Sequence, residues 1–346
     1  MIILFAAGLS RAELANQDKD GIYARSIEQV LRLEPEEIDL ATAVLIVSEE
    51  WNDNVYGRKY LSKLDSMARE IQQRLQDKGV KKGPGAVRII NEYLYEQNGF
   101  RTVKKADNPE DLFLHSVLDN KRGYCLSLSV LYLSLGERLD LPLYGVVIPG
   151  HFFVRYDDGR NRFNIETTSK GANPPDEHYV EKYDIPPEGN NIYLQNLDKM
   201  QTLGCFFNNL GNSYIDTSQP KPALKALERA VEINPALAES RTNLGNIYLK
   251  LDRIEDAVYE YQKALAINPN NAKTHNNLGN AYHRKNWLNE AIIEYNQSIN
   301  LDPDYIDSYI NLASIYIEKE SYSPAMSVLK KAAAMEPQND SIFLQM

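Results

Sequence analysis

The strongest constraint on this chain is a period of 34 residues in its C-terminal part. Leu210-Gly211, Leu244-Gly245, Leu278-Gly279 and Leu312-Ala313 fall in register. Tyr214, Tyr248, Tyr282 and Tyr316 recur at the same interval, as do Ala223, Ala257, Ala291 and Ala325, and Pro235, Pro269, Pro303 and Pro337. A unit of this size cannot bury its apolar face alone, so neighbouring units must stack into a superhelix with a concave inner surface. The small residues let paired helices approach, Leu and Tyr fill the seam between them, and Pro ends the second helix of each unit because it cannot continue one.

These positions resemble the tetratricopeptide (TPR) pattern. Four repeats are expected at 204–237, 238–271, 272–305 and 306–339, within an all-α domain at 197–346. In this family the first helix of each repeat faces the groove. Its sixth residue here is Asn209, Asn243, Asn277 and Asn311, and its ninth is Asn212, Asn246, Asn280 and then Ser314. Residues three apart share a helix face, so the amides would form a ladder along the groove. An amide donates and accepts, which suits the backbone of an extended peptide. The ladder resembles that of the TPR arm of O-GlcNAc transferase. The two-carboxylate clamp of chaperone-binding TPRs is not matched, because Asn208 and Asn277 stand where its Lys and Arg belong. Lys273, His283 and Arg284 make a basic patch mid-groove, so the expected partner is an extended, acidic-leaning protein segment. The other reading of the same Asn residues is helix-packing consensus without a binding role.

At 346 residues the chain is long enough for about two domains. Hydrophobic residues at 43% and charged residues at 25% give the mix of a globular protein rather than a disordered or fibrous one. A net charge of −10 argues against nucleic acid or an anionic membrane as main partner. No apolar run approaches ~20 residues, so no membrane-spanning helix is expected. The two cysteines, Cys125 and Cys205, lie in segments of different character and are not expected to pair. None of the five histidines has metal-ligand spacing to another His or Cys, so neither a metal nor a cofactor is expected. Met1–Leu9 is apolar and Ser10 and Ala12 follow as small residues. Residues 1–19 therefore read either as an amphipathic helix or as a clipped secretory signal, the second reading placing the protein in the periplasm or outside the cell rather than the cytoplasm.

Between them lies a region that changes character. Helices are expected from Ser26, over Ile38–Trp51, over Tyr60–Leu75 and over Val87–Gln97, with a break at Lys81–Gly85 and a stop at Gly99. From Cys125 a helix follows that is apolar nearly all round and so should be buried. Leu143–Ile148, His151–Tyr156 and Arg162–Thr167 read as strands, the last two joined by a hairpin turn at Asp157–Gly159. Ser169–Asn196, rich in Pro, Gly and charge, reads as an irregular connector with His178 in an exposed loop. A Cys opening a buried helix, a His opening a strand and an acid on the return strand make a cysteine-nucleophile layout. The helix N-terminus favours a thiolate, its N–H groups can hold an oxyanion, and an imidazole oriented by a third group can move the proton. Asn164 and Glu166 share one strand face, so either could be that third group, with spacing from His151 favouring Glu166. Cys125 as a small buried hydrophobe is the plain alternative.

The run NEYLYEQNGF (Asn91–Phe100), the segment DLFLHSVLDNKRGYCLSLSVLYLSLGERLDLPLYGV and the strand PGHFFVRYDDG resemble the transglutaminase-like domain of bacterial SirB-type proteins. The resemblance implies an α+β fold: a helical N-terminal region and a papain-type core over 20–196, followed by the TPR solenoid. It implies Cys125 in a Gly-x-Cys turn as nucleophile, His151 as general base and acid, and Glu166 as the orienting acid. Glu166 is a departure from the family's usual Asp, longer by one methylene. The expected function is thus a thiol enzyme acting on amide bonds, as peptidase, amidase or acyl transferase, with a TPR arm that recruits protein. The rival is a scaffold with a catalytically dead fold. A Cys125 sulfur beside His151 in an open cleft would favour the enzyme, and a sulfur sealed under Phe152 or Tyr144 the scaffold.

Overall fold

The computed structural model describes Ala24, residues 26–103, 108–183, Ile185 and 192–345. The N-terminal segment read as a helix or signal lies outside the described residues. The first half is a helical shell around one buried helix and a small sheet. It comprises α1 (Ile27–Val30), α2 (Leu40–Trp51), α3 (Gly57–Asp77), α4 (Pro84–Asn91, prolonged by a π-turn over Glu92–Gln97), α5 (Leu114–Asn120) and α6 (Cys125–Arg138). Asp39 caps α2 by accepting from the Thr42 N–H at 2.6 Å, and Pro84 opens α4 where its missing N–H costs nothing. Helix α6 is buried from Leu126 through Gly136, as its all-round apolar sequence requires.

Two sheets frame α6. β1 (Arg101–Thr102) pairs in parallel with β2 (Arg122–Gly123) just before the Cys helix. β3 (Leu143–Ile148), β4 (His151–Asp157) and β5 (Arg162–Ile165) form an antiparallel meander in that order. Ile148 pairs with His151 across a Pro149-Gly150 turn, with Gly150 at φ +67°, where a side chain would be strained. The short strands β1 and β2 and the helices α5 and α7 escape the sequence reading. α5 lies in a stretch given no element, and α7 (Asp176–Tyr183) forms inside the stretch read as irregular connector, with Tyr179 buried and His178 exposed on a helix.

The solenoid runs through paired helices α8 (Lys199–Asp216) and α9 (Pro220–Ile233), α10 (Ala238–Lys250) and α11 (Ile254–Ile267), α12 (Ala272–Arg284) and α13 (Leu288–Leu301), and α14 (Ile306–Glu318) and α15 (Tyr322–Met335), ending in α16 (Asp340–Gln345). The repeat glycines serve close approach: a Cβ on Gly245 would sit 2.6 Å from the Tyr261 ring, and one on Gly279 2.6 Å from the Tyr295 ring. Both tyrosines are fully buried.

The solenoid is not hung from a linker. Its first helix shares a continuous apolar core with the N-terminal half, through Leu203, Phe206, Phe207 and Leu210. Trp51 of α2 stacks on Tyr214 of α8 with ring centroids 4.9 Å apart, and Phe113 meets Phe206 edge-on at 6.2 Å. Lys199 donates to the Ile38 carbonyl at 2.5 Å and pairs with Glu137 at 2.8 Å. The Leu197 N–H donates to the Gly145 carbonyl at 2.9 Å. Among the described residues no helix is long and apolar enough to cross a membrane.

Candidate active site

Cys125 is the first residue of α6 and is half-buried. The turn before it needs glycine: a Cβ on Gly123 would fall 2.5 Å from Ser127 Oγ and 3.0 Å from Val117 Cγ2. Ser127 Oγ accepts from the Tyr124 N–H at 2.9 Å and donates to the Asp111 carbonyl at 2.9 Å, tying the turn to the chain before α5. Thr167 Oγ1 donates to the Cys125 carbonyl at 3.3 Å, so the Cys-bearing helix is pinned to the end of the acid-bearing strand.

His151 opens β4. Its Nε2 lies 2.7 Å from Glu166 Oε2, which leaves Nδ1 for the thiol. Burial works against a charge on the ring, but hydrogen bonding and charge from Cys125 and Glu166 outweigh it and push the His151 pKa up to about 10. Glu166 is held the other way. Burial would raise its pKa, yet the His151 hydrogen bond and charge, with donors from Thr168, keep it below the usual carboxylate range. Its Oε1 accepts from the Thr168 N–H at 3.1 Å and from the Thr168 hydroxyl, and its Oε2 also accepts from Tyr179 Oη at 3.1 Å. The Tyr179 phenol is pushed up by burial and by the Glu166 charge, so it stays a donor. The ring of Tyr183 stacks on His151 with centroids 5.6 Å apart, 5° from parallel. Tyr179 and Tyr183 were not singled out from sequence. Their spacing of four within a stretch bounded by prolines was the available signal.

Asn164, the alternative third group, is engaged elsewhere. Its carbonyl accepts from Arg155 Nε at 2.8 Å, and its amide donates to Asp176 Oδ1 at 2.7 Å and to the Pro174 carbonyl at 3.0 Å. Arg155 is fully buried and reaches Asp176 at 2.6 Å and the Leu194 carbonyl at 2.6 Å. This network fastens α7 and its tyrosines to the sheet.

Cys125, Gly150 and His151 line a cleft of about 380 Å³ whose opposite wall is the solenoid: Asn208, Asn209, Asn212, Asn243 and Lys273. Cys205 also lines this cleft, although nothing in the sequence placed the two cysteines together. Its thiol is pushed up by burial. A second depression of about 730 Å³ follows the inner face, with Asn212, Asn243, Asn246, Lys273, Asn277 and Arg284 on its walls.

The ladder amides bond one another as well as facing the groove. Asn243 donates to Asn208 at 3.0 Å, Asn277 to Asn246 at 2.9 Å and Asn311 to Asn276 at 3.0 Å. Asn209 donates to the Cys205 carbonyl at 3.0 Å. Asn246 and Asn280 accept from Tyr261 and Tyr295, each at 2.7 Å. Part of the ladder is therefore inter-repeat packing. The expected basic patch is weaker than its sequence suggests, because Arg284 pairs with Asp252 at 2.6 Å and His283 with Glu318 at 2.8 Å. Lys273 is exposed and makes no ion pair among the described residues.

Residues 58–196 match the model of the transglutaminase-like superfamily, and TPR models match 206–237, 245–286, 272–305 and 306–339. A UPF0162 protein of Xylella fastidiosa (strain 9a5c) is 25% identical over 215 residues, covering 58% of this chain and 73% of that protein. Protein SirB1 of Salmonella typhimurium is 30% identical over 189 residues, covering 51% of this chain and 65% of that protein. Among solved structures, MamA is 26% identical over 40% of this chain and 80% of its own, with a TM-score of 0.38. The chain thus carries a transglutaminase-like domain followed by tetratricopeptide repeats.

Proposed function

We propose that the chain is a thiol enzyme acting on amide bonds, as hydrolase or acyl transferase, with Cys125 as nucleophile, His151 as general base and acid, and Glu166 as the group that orients and charges the imidazole. The observation that carries this is the Nε2–Oε2 contact of 2.7 Å, which holds His151 by one nitrogen beside Cys125 in an open cleft. The sulfur attacks the amide carbonyl while its proton resides on His151. As the tetrahedral intermediate collapses the C–N bond breaks, and the imidazolium proton passes to the departing amine. The thioester is then attacked by water or by a second amine. His151 takes that nucleophile's proton and returns it to the sulfur. First-turn N–H groups of α6, which lack partners within the helix, would receive the oxyanion.

The test is labelling with an amide-mimic electrophile over a pH series, comparing wild type with Cys125→Ala and His151→Ala. The expected result is rapid labelling at neutral pH that is abolished by the first variant and strongly slowed by the second. Labelling of Cys125 no faster than that of a free thiol in solution would sink the assignment and leave the repeats as a protein-interaction scaffold on an inert fold.

A further inference from the structure

The cleft at Cys125 and the depression along the solenoid adjoin and share part of their walls. Asn212, Thr242, Asn243 and Lys273 belong to both. The solenoid wall cannot swing away as a tethered arm would, because Asn208, Asn209 and Asn212 project from α8, the helix packed into the catalytic core. The wall also has a defined chemistry. One amide N–H each of Asn209, Asn243 and Asn277 is turned onto a neighbouring protein oxygen. Each carbonyl oxygen and the second N–H of each amide are left for a ligand, so the rungs offer a row of acceptors with a donor beside each. Backbone N–H groups of an extended polypeptide are the matching donors, and they recur on one side of a strand every second residue. Where the groove meets the cleft stands Lys273, an exposed cation without an ion pair among the described residues.

We propose that the repeats are the substrate-binding half of the active site. The reacting protein segment lies extended along the inner face of the first three repeats, places an acidic side chain or terminal carboxylate at Lys273, and runs into the cleft so that its reacting amide reaches Cys125. This rests on the thiol-enzyme reading for the chemistry but not for the binding path. Polypeptide recognition and catalysis then occur on one continuous surface, and a side-chain amide on a small free molecule is a poor substrate.

Two measurements on the full chain separate these claims. First, peptides of about ten residues, ~33 Å when extended, carry an acrylamide electrophile at one end and either acidic or neutral residues elsewhere. The rate at which they label Cys125 is divided by the iodoacetamide rate of the same variant, which removes changes in intrinsic thiol reactivity. The ratio is expected to favour acidic peptides, to fall about tenfold in Asn243→Ala/Asn277→Ala, as loss of ~1.4 kcal/mol of hydrogen bonding implies, and to lose its acidic preference in Lys273→Glu. A ratio unchanged in both variants overturns the proposal even if Cys125 is reactive. Second, Cys125→Ala is photo-crosslinked to peptides bearing benzophenone at either end, which needs no thiol chemistry. Crosslinks from one end at Gly150–Phe152 and from the other at α10–α12 are expected. Crosslinks confined to one half of the molecule, or none, overturn it.

Discussion

Glu166→Gln changes one atom in the centre of the site and leaves its shape. Glu166 presents two oxygens to four donors: His151 Nε2 and Tyr179 Oη on one side, the Thr168 N–H and hydroxyl on the other. An amide offers one acceptor and one donor group. If its carbonyl faces Thr168, its NH₂ faces His151, and the ring must accept at Nε2 and carry its proton on Nδ1. That is the nitrogen left for the thiol, so it can no longer take the sulfur's proton. If its carbonyl faces His151, the Thr168 N–H loses its acceptor and the ring loses its charged partner. Trading a charged for a neutral acceptor costs about 1–2 kcal/mol, equivalent to roughly one unit of pKa, so His151 should titrate lower than its wild-type value of about 10. A wrongly held tautomer should slow turnover, and labelling that depends on the imidazole, by ~10²–10⁴-fold. The assay is proton NMR of the His151 ring against pH, paired with the pH profile of iodoacetamide labelling. The linkage has a definite sign. His151 is raised in the folded state, so its contribution to stability is complete below pH ~6.5, the unfolded value, and is lost as pH rises through about 10. The variant's deficit in melting temperature should therefore be present near pH 6 and shrink above pH ~10. A wild-type midpoint near 6.5, or a variant that labels at the wild-type rate, would refute the charged-pair argument.

Cys125 should alkylate faster than Cys205 at neutral pH, read by mass spectrometry of tryptic peptides, because Cys205 is buried and its thiol is pushed up by that burial; equal rates would contradict the placement of a reactive thiol at the start of α6. Asn164→Ala should lower stability by about 1–3 kcal/mol, since it strips the Nε acceptor from the buried Arg155. It should spare the His151 titration, and a variant with normal stability but no thiol reactivity would make Asn164 the orienting group instead. Gly245→Ala drives a Cβ to within 2.6 Å of the fully buried Tyr261 ring and should cost about 1–3 kcal/mol by denaturant titration; a neutral result would mean that the helices of that repeat part easily.

The solenoid was legible because its packing rule is stated four times, once in each repeat. Gly or Ala at the seam, Tyr in it and Pro after it are local signals with a fixed period, and the structure places them as the period requires. The placement of Cys125 and His151 was legible for a different reason: each opens an element, and Gly123 closes β2 in the turn before α6, where sequence punctuation is strongest. The pairing of Glu166 with His151 was less so, because strand alternation puts Asn164 on the same face, and only three-dimensional neighbours separate them. Asn164 meets Arg155, whereas Glu166 meets His151. Helix α7 was missed because prolines and charges flank a segment of eight residues. It is stabilised by tertiary contacts of Tyr179 and Asp176 rather than by its own propensity. Nor could sequence show that one N–H of each of Asn209, Asn243 and Asn277 is spent on a neighbouring carbonyl, which leaves an acceptor and a single donor at each rung.

Docking of α8 into the N-terminal core also sets where the molecule should open. In a stacked array each repeat is held by its neighbours, so stability depends on what lies at the two ends. At one end the first repeat is fused to the core through Trp51–Tyr214, Phe113–Phe206 and Lys199. At the other, Tyr309, Ala313, Leu329, Ala332 and Ile342 form a small apolar cluster of their own, apart from the main core. Among the described residues opening should therefore begin at α14–α16 and move inward, leaving the wall opposite Cys125 until last. Hydrogen exchange should show protection falling from α8 to α15, with α8 and α6 exchanging together in the slowest class. If instead all four repeats exchange as one unit distinct from α6, the solenoid is an independently folding arm, and the fixed wall on which the composite groove depends does not exist.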